Sequence, residues 1–103
     1  MWHQVVDRPE SYRELTVTAM TAFAMERGLR RGWLDRAKFQ KAVDRAWYAL
    51  KTRVAADGSL VDVCTNTGKQ KSLRDYYDRP AILGVDARGG AMAWLIANEL
   101  AAR

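Results

Sequence analysis

The sequence predicts an all-α fold that forms part of a larger inner/outer helical assembly, with a short β-hairpin-like segment near residues 57–66. Three observations carry this. From Leu15 to Met25 no charge appears for eleven residues, and only Thr16, Thr18 and Thr21 are polar. Gly89 to Asn98 is again uncharged and leaves no polar face. Between them, Val43, Ala46, Trp47, Leu50 and Val54 form a single apolar stripe at helical spacing. A helix apolar on every side must be surrounded by protein. Two such helices and one full outer helix do not close a core, so the chain is expected either to sit in a larger assembly or to complete itself by oligomerising.

Length and composition agree with helix. A chain of 103 residues holds one domain at most, and two prolines among abundant Ala, Leu, Arg and Met favour helix over sheet. The single Cys64 excludes an internal disulfide and fits a reducing, cytoplasmic location. The start lacks the apolar core of a secretory signal, and no run approaches the ~20 apolar residues of a membrane span. The net charge of +5 admits an anionic partner but equally describes a solvated surface. Without aromatic-basic interleaving or a known DNA-reading motif, neither nucleic acid nor membrane is an expected partner.

Taken in order, residues 1–10 read as an irregular lead-in, since Asp7-Arg8-Pro9 is turn chemistry. Ser11 and Glu14 have capping-box spacing and are expected to open a helix running to about Arg31. Arg27, Arg30 and Arg31 suit the negative end of that helix before Gly32. Asp35 is the expected N-cap of a second helix over roughly Arg36 to Ala55, with Lys38, Lys41, Asp44, Arg45, Lys51 and Arg53 toward solvent. The pair forms a helical hairpin with an inner and an outer member.

Asp57-Gly58 marks a tight turn before the β-prone Leu60–Cys64. Ser72 with Asp75 caps a short helix through Tyr76-Tyr77, stopped before Pro80. Residues 80–88 read as irregular, with Asp86 as N-cap of the last apolar helix.

Trp2, His3, Gln4, Tyr12 and Glu14 gather directly before the first apolar helix, where a ligand site is sought. Here the chain resembles a known family. Trp2-His3-Gln4-Val5-Val6-Asp7, then Ser11-Tyr12-Arg13-Glu14 leading to Thr18-Ala19-Met20, is similar to the "LW(Y/H)QVLD … Y-x-E-(T/A)-S-G-(T/S)-A-M" segment of the unsaturated rhamnogalacturonyl hydrolases, glycosyl hydrolase family 88/105. The likeness continues through Gly28-Leu29-Arg30-Arg31-Gly32-Trp33-Leu34-Asp35, Ala46-Trp47, Asp57-Gly58, Val63-Cys64, Tyr76-Tyr77-Asp78-Arg79-Pro80 and Asp86 with Gly89. It covers nearly the whole chain in the family's order.

The resemblance implies an (α/α)6 toroid of twelve helices, with residues 1–103 a single C-terminal segment amounting to a third of it or less. It implies removal of a 4,5-unsaturated uronic acid from pectin-derived oligosaccharides by hydration of the double bond. An Asp acts there as general acid and base, unlike the paired carboxylates of most glycosidases. No segment matches that Asp's surroundings, so no catalytic residue, cofactor or metal is assigned, and the segment alone is expected to be inactive. The implied substrate-binding residues are Trp2 and His3 at the pocket rim, Gln4 toward sugar hydroxyls, and Glu14 at the start of the inner helix. Each also has a structural reading: Trp2 as core cap, His3 as a satisfied hydrogen-bonding residue, Glu14 as a helix-capping carboxylate.

Cys64 reads as an inert packed thiol, and Tyr76 and Tyr77 as packing. Arg79 is expected to pair with Asp75 or Asp78, or else with a uronate. The sequence departs from the family pattern at Leu15 (Thr or Ala in the family), Val17 (Gly) and Ala91 (Gly). Met1 stands where the family has Leu before Trp, which suggests a truncation or a re-chosen start. The alternative reading is a small non-catalytic helical module that self-associates through exposed inner helices or binds an anionic partner.

Overall fold

The computed structural model describes residues 1–103. The element order is α1 (Leu15–Arg30), α2 (Arg36–Lys51), β1 (Leu60–Cys64), α3 (Leu73–Tyr77), β2 (Ala81–Gly84) and α4 (Ala87–Ala101). Helix α1 is central and packs along both α2 and α4. Leu15, Ala19 and Ala22 of α1 meet Ala46 and Leu50 of α2, Leu60 and Val63 of β1, and Ile96 of α4 in one core.

The inner and outer helices differ as their patterns require. Helix α2 buries Val43, Ala46 and Leu50 and leaves its charged faces to solvent. On α1 and α4 the core takes only one side, so Met20 is 54% exposed, Trp94 71% and Leu95 51%. Apolar surface that the chain does not cover lies on the flanks of both inner helices. No helix is long and apolar enough to cross a membrane.

The first helix begins three residues later than the Ser11 cap would have it. Residues 2–4 and 12–14 pair as an extended clasp: Gln4 N–H donates to the Tyr12 carbonyl at 2.7 Å and Glu14 N–H to the Trp2 carbonyl at 3.0 Å. This pairing holds Tyr12–Glu14 extended, so helical backbone starts only at Leu15. The cap is Glu14, whose carboxylate accepts from Val17 N–H at 2.6 Å. Ser11 instead closes the preceding turn, accepting from Val5 N–H and donating to the Arg8 carbonyl.

At its far end α1 stops in a Schellman arrangement. Gly32 N–H donates to the Leu29 carbonyl and Trp33 N–H to the Gly28 carbonyl, with Gly32 at φ +71°. Asp35 caps α2 as expected, through Ala37 N–H.

Helix α2 ends at Lys51, short of Ala55, because Val54 is drawn into a bridge with Leu60 around the Asp57-Gly58 turn. The strand Leu60–Cys64 forms, but its main partner is not the neighbouring hairpin arm. It pairs antiparallel with β2, inside the stretch read as irregular. Four residues after a proline, ending in glycine, give no alternation to detect. The register slips between Leu60 and Val63, where Asp62 takes φ +63° and faces Arg53 at 3.5 Å.

Ser72 caps α3 as read, and Asp86 caps α4 through Gly89 N–H at 2.7 Å. Gly89 presses against β1, where a Cβ would lie 2.9 Å from both Leu60 and Val63 side chains. Beyond the expected bounds, α4 extends to Ala101.

Candidate functional site

The clasp holds Trp2, His3 and Gln4 at consecutive extended positions beside the start of α1. Trp2 is half-buried against the core, and its N–H donates to Thr18 Oγ1 at 3.0 Å. Thr18 in turn donates to the Glu14 carbonyl at 2.7 Å. The polar threonines of the apolar helix thus tie the clasp down. Thr18, absent from the sequence-derived site, shows why a buried helix keeps a hydroxyl there.

His3 Nδ1 lies 2.7 Å from the Ser11 carbonyl. A carbonyl only accepts, so Nδ1 carries a proton, and in the neutral ring Nε2 is then the acceptor. Gln4 Nε2 donates to Cys64 Sγ at 3.3 Å, which leaves its amide oxygen as an acceptor.

Glu14 is only 2% exposed, and both carboxylate oxygens are engaged. Oε2 accepts from Val17 N–H, Oε1 from Cys64 N–H at 3.0 Å, and the Thr16 hydroxyl lies 2.8 and 2.9 Å from the two oxygens. The side chain joins the start of α1 to the end of β1. In this geometry Glu14 shapes the site from below.

Cys64 sits in polar company, not among packed methyls. Besides Gln4, Thr67 Oγ1 lies 3.4 Å from its sulfur. Burial raises the thiol pKa, but the polar groups of Thr67, Tyr12, Gln4 and the Asn66 backbone around it outweigh that and leave the pKa below its ordinary value. The Tyr12 hydroxyl is buried with no well-formed hydrogen bond, and the thiol is its polar neighbour. Burial first, and that neighbour second, hold the phenol protonated well above its usual range.

Loop 65–70 forms the next edge. Arg79 donates to the Asn66 carbonyl at 2.7 Å, pairing with neither Asp75 nor Asp78, and Arg88 donates to the Thr65 carbonyl at 2.6 Å. Asp78 is taken by Arg74, one helical turn back. Tyr76 accepts from Gln70 N–H, and Tyr77 donates to Glu10 at 2.7 Å. Both tyrosines fasten loops. No three His, Cys, Asp or Glu side chains converge as metal ligands.

The clasp thus offers an indole edge at Trp2, an imidazole nitrogen at His3 and an amide oxygen at Gln4, anchored on Glu14 and Thr18. Aromatic faces with a few fixed polar atoms suit a sugar ring. Helix α1 flanked by α2 and α4, with apolar surface left over on both inner helices, fits a segment of an α/α toroid. The model of Glycosyl Hydrolase Family 88 matches residues 1–103, and the chain belongs to that family.

Solved structures agree. A possible member of the GH105 family from Salmonella enterica serovar Paratyphi A superposes with a TM-score of 0.89 over 97% of this chain at 26% identity. Another from Klebsiella pneumoniae gives 0.89 over 97% at 25% identity. In each case this chain spans 26% of the other's length.

Proposed function

We propose that these residues form one wall of a glycoside hydrolase pocket that takes a 4,5-unsaturated uronic acid from the non-reducing end of pectin-derived, rhamnogalacturonan-type oligosaccharides. The bond is broken indirectly: a proton is added to one alkene carbon and water to the other, and the resulting hemiketal opens to release the sugar. Trp2 supplies a stacking face, His3 Nε2 and the Gln4 amide oxygen accept from sugar hydroxyls, and Glu14 fixes the floor. The observation that carries this reading is the pinned Trp2-His3-Gln4 edge at the N-terminus of an inner helix, within a family match over the whole chain. The general acid is not assigned to any of these residues. Incubated with the unsaturated disaccharide, the 103-residue chain is expected to leave its ultraviolet absorbance unchanged while binding it weakly. Turnover by the isolated chain contradicts the role assigned to the wall, as does binding that survives Trp2→Ala undiminished.

A second reading rests on the apolar flanks of α1 and α4 at Met20, Trp94 and Leu95. In it the chain is a helical module that self-associates through those flanks. Light scattering decides: a well-folded monomer at high concentration removes this reading.

A further inference from the structure

The C-terminal end of α1 carries a second polar cluster, about 24 Å along the helix from the wall. Arg27, Arg30, Arg31 and Glu99 alone line a cleft of about 260 Å³. Glu99 reaches it from α4 and is only 4% exposed. Arg27 grips it with two bonds, Nε to Oε1 at 3.0 Å and Nη2 to Oε2 at 2.6 Å, and Arg30 Nη1 adds a third at 2.6 Å.

This is more than neutralisation of a buried acid. Glu99 brings one negative charge against three guanidinium groups, which leaves two positive charges unbalanced. The Arg27, Gly28 and Leu29 carbonyls in the last turn of α1 are already engaged by Arg31, Trp33 and Gly32 N–H groups, so they do not require the arginines. Arg27 Nη1, Arg30 Nε and Nη2, and every N–H of Arg31 have no protein acceptor. Aromatic rings accompany two of the groups. Arg27 stacks 5.0 Å over Phe23, and Arg31 lies 5.6 Å over Trp33. Planar donors with N–H groups to spare are the chemistry that recognises tetrahedral oxyanions.

We propose that Arg27, Arg30 and Arg31, braced by Glu99, form a binding site for a doubly charged tetrahedral oxyanion, either free phosphate or sulfate or a phosphate monoester. The site is separate from the sugar wall and does not depend on the function proposed for it.

The test is titration of the full chain with phosphate, sulfate and methyl phosphate at constant ionic strength. It is followed by calorimetry and by the Nε–H resonances of the arginines. Saturable binding with one ion per chain is expected, with shifts at Arg27, Arg30 and Arg31. Arg31→Gln removes a side chain that makes no protein hydrogen bond, so the fold is retained while affinity falls about tenfold, the loss of a charge-assisted contact. Lys38→Gln, the same charge change on α2, leaves affinity unaltered. Equal binding of methyl phosphate identifies an open site that accepts an esterified group; binding of the inorganic ions alone identifies a closed free-ion site, and either supports the proposal. No saturable binding of any of the three overturns it, as does equal weakening by Arg31→Gln and Lys38→Gln.

Discussion

The two ends of α1 each bury glutamate, and they solve the same electrostatic problem in different ways. At the N-terminus, Glu14 is held by neutral donors: two backbone N–H groups and a hydroxyl. At the C-terminal end, Glu26 and Glu99 are held by arginines, Arg103 for the first and Arg27 with Arg30 for the second. A carboxylate at the positive end of a helix needs no counter-cation, because the free N–H groups supply the field. At the other end the field opposes it, and cations must come from side chains. Glu14 can therefore tie α1 to β1 without a cation beside the clasp, whereas the far end is unavoidably basic.

The largest expected effect falls on the N-terminal end. Glu14→Ala leaves two N–H groups and a hydroxyl without their acceptor and frees β1 from α1, at an expected loss of about 2–3 kcal/mol by urea denaturation. A change below about 0.5 kcal/mol would mean that the clasp closes without it. Next, Thr18→Val keeps the shape but removes the bond to Trp2 N–H, and is expected to cost about 1 kcal/mol.

Acid separates the ends further. Hydrogen bonding from Arg27 holds the Glu99 carboxyl below the ordinary glutamate value of about 4.3 despite its burial. With the folded pKa depressed, its stabilisation is complete above that ordinary value and is lost as pH falls through the folded pKa. Glu99→Gln should therefore flatten the stability profile in the acid range below about pH 4, as read by denaturant midpoints. A profile unchanged by Glu99→Gln would place the acid sensitivity elsewhere. The smallest effect is kinetic. Gln4→Ala removes a donor to the Cys64 thiol, so its pKa rises and alkylation at neutral pH slows. An unaltered rate would show that Thr67 and Tyr12 suffice.

Much of this was legible in the residues. The uncharged apolar runs located α1 and α4 and the apolar stripe located α2, and Asp35, Ser72 and Asp86 were readable as caps because capping needs only local spacing. The motif run from Trp2 to Gly89 pointed to the family that the chain belongs to. Non-local facts were not legible. Ser11 lost its capping role because residues 2–4 pair with 12–14, and strand β2 exists because β1 supplies its ladder. Likewise Cys64 gained polar neighbours from the other end of the chain, Gln4 and Tyr12, which no spacing rule connects. The arginines of α1 looked like dipole partners, and only the fold brings Glu99 against them.

Titrating the isotope-labelled chain with an unsaturated uronyl disaccharide tests the central claim most directly. The account predicts shifts confined to Trp2, His3, Gln4 and the first turn of α1, with the Arg27–Arg31 end silent. Shifts centred on the arginine end, or none at Trp2 and His3 at saturating sugar, would contradict it.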